Sequence, residues 1–159
     1  MSVAASPPNA TAAAKSERTE LIVFRVADQD YCFDILSVRE IRRWTPATVI
    51  PHAPPYVRGV INLRGAVVPI ADLAARLGLD GPEPTARHVV IVAEIDGRTI
   101  GLLVDSVSDI IGIPSAAIQP APDIVDDGTT GFVAGLVTHE DTMIRLMNPM
   151  DVLPAGASA

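Results

Sequence analysis

Three histidines, one cysteine and scattered carboxylates are the side chains of this 159-residue chain that could carry chemistry. Metal ligation needs donors at short spacing on one element. His52, His88 and His139 lie far apart and share no such element, so they read as separate loop or surface histidines. Cys32 stands between Tyr31 and Phe33 with no histidine or basic residue beside it to lower its thiol pKa, and reads as a small buried filler. The glycines form neither a GxGxxG turn nor a phosphate loop, and no GxSxG elbow is present. Asp126-Asp127-Gly128 lacks the alternating oxygen ligands of a calcium loop and reads as a solvated turn. Arg42-Arg43-Trp44 is the one basic–aromatic cluster, the type of platform on which small barrels stack bases. Glu40 precedes it in an acidic chain, which favours a solvated edge over a nucleic-acid platform. None of these groups forms a catalytic constellation. The expectation is a non-enzyme with no metal and no cofactor, a protein that works by presenting surface to partners.

Bulk composition points the same way. Twelve basic against 19 acidic residues give a net charge of −7 and a pI near 4.8. Non-specific binding to nucleic acid or to an anionic bilayer needs the opposite field. A single cysteine excludes an internal disulfide framework and suits a reducing compartment. No run approaches the ~18 apolar residues of a membrane helix. Residues 1–18 have no basic n-region and no leucine-rich core, so they read as a disordered Ala/Ser/Pro tail rather than a signal peptide. Residues 154–159 read as a second, shorter tail. Together these features predict a cytoplasmic protein with one compact middle, residues 19–153.

That middle is written twice. At a shift of 69 residues the segment from Leu21 to Ile41 overlies the segment from Val90 onward, apolar on apolar, with Ser37 on Ser106 and Glu40 on Asp109. After an insertion around 124–130, a shift of 76 lays GVINLRGAVVPI (59–70) over GLVTHEDTMIRL (135–146). An internal duplication follows, with half one at about 19–79 and half two at about 87–153. Each half reads as about five short strands. Those legible are 21–26, 29–35, 57–63 and 66–71, then 89–95, 98–104, 133–138 and 142–147, with turn signals at Asp96-Gly97 and Arg64-Gly65. Residues 72–77 (DLAARL) read as a short helix capped by Asp72 and stopped by Gly78; residues 80–87 have linker composition. A barrel of one half alone has a thin core, so two are expected to pack together. Runs such as 89–93, apolar at successive positions, fit strands covered on both faces.

VREIRRW (38–44), IPHAPPYVRGVINLRG with its following VVPIADL (50–73), FDILSVREI (33–41) and GLLVDSVSDI…IQPAP (101–122) together resemble the CheW family of chemotaxis coupling proteins. The resemblance covers residues 19–153 and treats FDILSVREI as a strand-to-helix stretch. It implies a mainly β fold of two intertwined five-stranded SH3-like or OB-like barrels with short helices. It also implies a non-catalytic scaffold that joins chemoreceptor cytoplasmic tips to the CheA histidine kinase, monomeric when isolated and built into arrays at the inner membrane. The partners implied are CheA and methyl-accepting receptors, with no nucleic acid and no direct membrane insertion. Receptor-contact positions of the family fall on Val38, Glu40, Gly59, Arg64, Val107 and Ile110. Kinase-contact positions fall on Ile50, Gln119 and Ile124; some members carry Arg at the position of Gln119 and Phe at that of Ile124. Physical readings stand beside these roles. Arg64, at a hairpin turn, could latch onto Glu40 or reach a receptor carboxylate. Gly59 could mark a close backbone approach. Val38, Val107 and Ile110 could be core.

Overall fold

The computed structural model describes residues 18–79, 83–120 and 133–152. Strands β1 (Arg18–Val26), β2 (Gln29–Asp34), β3 (Val38–Arg43), β4 (Val57–Leu63) and β5 (Ala66–Asp72) come first and end in the single helical turn α1 (Leu73–Arg76). Then follow β6 (Val89–Ile95), β7 (Arg98–Val104), β8 (Ser106–Pro114), β9 (Val133–His139) and β10 (Thr142–Met147). Among the described residues four hairpins turn on two residues that both have positive φ: Ala27-Asp28 (50°, 68°), Arg64-Gly65 (52°, 89°), Asp96-Gly97 (54°, 78°) and Glu140-Asp141 (50°, 65°). This is the primed geometry whose twist matches that of the flanking strands. Asp72 caps α1, its carboxylate accepting from Ala75 N at 3.3 Å.

The two halves do not each fold on themselves. One sheet runs β8-β1-β2-β10-β9 and the other β3-β6-β7-β5-β4, so each takes the first two strands of one half and the last three of the other. The exchange keeps the same register on both sides. Ile70 pairs with Gly101 in parallel, and Leu146 pairs with Cys32, the positions the duplication makes equivalent. A bulge falls at Arg39 between β3 and β6 and at its counterpart Ser108 between β8 and β1. Further bulges fall at Arg58 and at its counterpart Ala134. The crossings between sheets are short. One is the 3-10 turn Ile35–Ser37, capped by Asp34. The other is Asp105, whose N–H donates to Arg25 O at 2.9 Å and whose carboxylate accepts from Ala27 N at 3.0 Å.

Among the described residues three apolar clusters result. Leu21, Val23, Cys32, Ile111, Ile113, Val137 and Ile144 fill the curve of the first sheet, and Leu63, Val68, Ile70, Val90, Val92 and Leu103 that of the second. Between the sheets, Ile22, Phe24, Tyr31 and Phe33 of the β1–β2 hairpin meet Ile91, Ala93, Ile100 and Leu102 of β6–β7. Alternate residues of β1, β2, β6 and β7 therefore serve different cores. That is why these strands are apolar at successive positions.

Several sequence expectations need correction. FDILSVREI is not strand-to-helix: a single 3-10 turn separates β2 from β3, and β3 and its counterpart β8, third in their halves, complete the five strands of each. Both are edge strands whose exposed residues dilute the apolar signal. β1 starts at Arg18, paired with Pro114, one residue inside the expected tail. The sheets stop short of closed barrels: among the described residues no ladder joins β3 to β4 or β8 to β9. One bridge per sheet does that work, Thr48 to Val60 and Gln119 to Leu136. The remainder of the first tail, the insertion near 124–130, part of the linker and the last residues lie outside the described residues.

Candidate partner-docking site

Val38 and Val107 are half-buried, both packed on the central core. Residues directly opposite in an antiparallel pair share a face of the sheet. Val38 lies opposite Ala93 and Val107 opposite Phe24, both members of that core. Further along the same faces, Ile41 lies opposite Ile91 and Ile110 opposite Ile22, yet these two are 45% and 51% exposed. The central core thus runs out to the surface along the edge strands β3 and β8, with two isoleucines as its uncovered margins. Leu36, in the 3-10 crossing just before Val38, is 89% exposed. Sequence reasoning missed Leu36 and Ile41. Ile41 was signalled by its equivalence to Ile110, whereas Leu36 aligns with Asp105, so the repeat carried no hint of it.

Glu40 and Arg64 come together. The guanidinium of Arg64, on the β4–β5 turn, pairs with the carboxylate of Glu40 on β3, and Arg42 lies 3.7 Å from the other oxygen. Since β3 and β4 end opposite flanks of their sheet, the pair spans the gap between them. Glu40 is a quarter exposed and Arg64 nearly three-quarters, so one partner is anchored and the other is presented to solvent. Arg39 pairs with Glu94 beside them.

Gly59 is buried, not presented. Its φ is +142°, and a Cβ built there would lie 2.3 Å from Thr48 O. That close approach allows the two backbone bonds between Thr48 and Val60, at 2.9 and 2.8 Å. Gly135 repeats the arrangement against Gln119 O at 2.8 Å. Ile50 is 42% exposed in the loop after β3, and Gln119 is exposed in the equivalent loop after β8, its backbone held by Leu136. Ile124 lies outside the described residues.

The remaining candidate groups are accounted for one by one. Cys32 is fully buried, and burial pushes its thiol up to about 12, which keeps it protonated and unreactive. His88 accepts from Thr85 N at Nδ1 and lies 3.5 Å from Asp105; His52 sits in a loop and His139 at the end of β9. Trp44 packs on the core of the second sheet rather than standing free as a stacking platform. Among the described residues no helix is long and apolar enough to cross a membrane.

A duplicated, strand-exchanged pair of β-sheets with an apolar margin and an exposed ion pair defines a protein–protein scaffold by class. Comparison with known proteins gives the family. The CheW-like domain model matches residues 20–156, and the chain belongs to that family. It is 56% identical over 136 residues to the chemotaxis protein CheW of Rhizobium meliloti, covering 86% of this chain and 88% of that one. It is 35% identical over 129 residues to CheW of Klebsiella aerogenes, covering 81% and 78%. The crystal structure of the scaffolding protein TtCheW from Thermoanaerobacter tengcongensis superposes with a TM-score of 0.76 at 35% identity, covering 82% of this chain and 88% of that one. The role of the protein is that of a chemotaxis adaptor and scaffold.

Proposed function

We propose that this protein, without catalysing a reaction itself, couples the cytoplasmic tips of methyl-accepting chemoreceptors to the CheA histidine kinase in the cytoplasm, and that receptor arrays recruit it. The observation that carries this reading is the uncovered margin of the central core on β3 and β8, flanked by the Glu40–Arg64 pair. Val38, Val107 and Ile110 supply apolar area to a receptor helix, and Arg64 supplies a cation able to leave Glu40 for a receptor carboxylate. Gly59 serves the site from beneath, through the Thr48–Val60 bridge. Ile50 and Gln119 occupy equivalent loops on the two sheets and, with Ile124, form the kinase-contacting set. Latch and receptor contact are then successive states of one Arg64 side chain.

Co-sedimentation with a receptor cytoplasmic fragment and CheA, read out as kinase activity, tests this. Wild type restores receptor-controlled kinase activity. Ile110→Glu abolishes it while the protein stays folded, and Gln119→Glu weakens kinase recruitment without weakening receptor binding. Full coupling by Ile110→Glu would overturn the receptor assignment.

A further inference from the structure

The gap between the two ends of each sheet is a cleft, and the duplication relates the two clefts residue by residue. In the second sheet the cleft is about 350 Å³, with Arg64, Arg39, Glu94 and Thr99 on its walls. In the first sheet it is about 290 Å³, and the same positions hold Glu140, Ser108, Arg25 and Asp30. Asp109, the counterpart of Glu40, lines the first-sheet cleft too. The position that donates a cation across the second cleft thus carries an acid in the first. Where Arg64 meets Glu40, the equivalent pair is Glu140 and Asp109, two carboxylates.

Among the described residues no cation reaches across the first cleft to Glu140 or Asp109. Its arginine, Arg25, is held by Asp30 on the neighbouring strand at 3.2 Å. His139 Nε2 lies 3.6 Å from Glu140, beyond hydrogen-bond length. The Asp109 carboxylate accepts from Ile110 N at 2.8 Å. Val23, Ile111 and Ile144 form an apolar floor, of the kind along which the stem of a lysine or arginine lies while its head reaches the rim. Among the described residues β8 pairs with β1 alone, and an unpaired strand edge can accept an extended chain.

We propose that the first-sheet cleft is a docking site for an extended, arginine- or lysine-bearing segment of a partner protein, whose cation takes the place that Arg64 holds in the second-sheet cleft. At the second cleft a guanidinium is donated from the β4–β5 turn onto the β3 carboxylate. The first has the carboxylates, the floor and, among the described residues, an unpaired edge, and it carries Glu140 at the position of Arg64. The inference extends the docking role proposed above but uses the opposite face of β8 from the one that carries Val107 and Ile110. A cleft that carries its own cation needs no partner to complete it. One whose facing positions, Glu140 and Asp109, are both acids favours a partner of opposite charge there and disfavours acidic ones.

The test is fluorescence anisotropy of the full chain with a short labelled peptide alternating valine with arginine, beside its valine–glutamate counterpart. Receptor and kinase are absent from this assay, so its outcome is separate from that of the coupling experiment. Wild type binds the arginine peptide at low salt and not the glutamate one. Glu140→Arg installs the missing cation at a φ that Arg64 already tolerates, 50° against 52°. It is expected to weaken the peptide by roughly two- to fivefold, the size of one solvent-exposed ion-pair partner, and to leave the melting temperature the same or slightly higher. Asp109→Asn, which keeps the oxygen bonded to Ile110 N, is expected to weaken binding several-fold without loss of fold, and it decides the matter if Glu140→Arg folds poorly. Equal binding of both peptides, no binding by wild type, or undiminished binding by both variants overturns the proposal.

Discussion

Replacing Gly59 by alanine separates a structural glycine from a receptor-contacting one. At φ +142° a side chain is strained wherever it points, and the new Cβ would sit 2.3 Å from Thr48 O and 2.7 Å from Thr48 C, both backbone atoms that cannot rotate away. Backbone strain of this kind costs ~1–3 kcal/mol, and overpacking against a fixed wall costs a similar ~1–3 kcal/mol. If Thr48 moves instead, the bonds between Thr48 and Val60 are lost at ~0.5–1.5 kcal/mol each. The expected loss is ~3–5 kcal/mol, a large part of the ~5–15 kcal/mol that holds a domain together, and for this size the midpoint falls by roughly 10 °C or more. Trp44, the single tryptophan, packs on the second-sheet core, so its fluorescence in urea reports the event directly. Gly135→Ala makes the internal comparison. Its contact is looser, at 2.8 Å, part of it falls on the movable side chain of Ile118, and its φ lies outside the left-handed range, so ~1–2 kcal/mol is expected. Receptor binding by Gly59→Ala, measured well below its own midpoint, should persist in the folded fraction. A Gly59→Ala protein with wild-type stability and no receptor binding would refute this reasoning and make Gly59 a contact.

Three further expectations concern side chains. Arg64 is 72% exposed, so a Glu40/Arg64 double-mutant cycle should show coupling of ~0–1 kcal/mol in thermal melts, while Arg64→Glu cuts receptor pull-down by roughly 30-fold or more; coupling above ~2 kcal/mol would mean that the pair is chiefly a latch. Asp72 is buried, caps α1 and takes two bonds from Arg58, at 2.9 and 2.7 Å. Asp72→Ala should therefore cost ~3 kcal/mol or more in urea titrations, and Asp72→Asn, which keeps the cap, clearly less. Burial raises the Cys32 thiol from 9.0 to about 12, so the folded state favours the protonated form. That contribution is fully present below pH 9 and is lost as pH rises toward 12, up to ~4 kcal/mol. Cys32→Ala should flatten this part of the alkaline stability profile, and native Cys32 should resist thiol reagents at neutral pH until the chain unfolds.

Much of this architecture is local and was legible in order. The alternation and β-branched runs place β4, β6, β7 and β10 with the bounds the structure has, because a strand buried by its neighbours must be apolar where it is covered. Asp96-Gly97 announces its turn, Asp72 its helix cap, and the doubly apolar run 89–93 its burial on both faces. The repeat at 69 and 76 residues announces a pseudo-symmetric molecule. Tertiary structure alone decided which copy each strand joins. The repeat makes β3 and β8 near-equivalent in pattern, so either could satisfy the edge of either sheet. The choice rests on short crossings, Ile35–Ser37 and Asp105, that carry the chain from one sheet to the other while the two hairpins bury each other's faces. It likewise set Arg64 against Glu40 across the ends of one sheet and left Glu140 beside Asp109 across the ends of the other. Periodicity records which face of a strand is wet; ion pairing depends on which strands the folded sheet brings end to end, and that distance is not written along the chain.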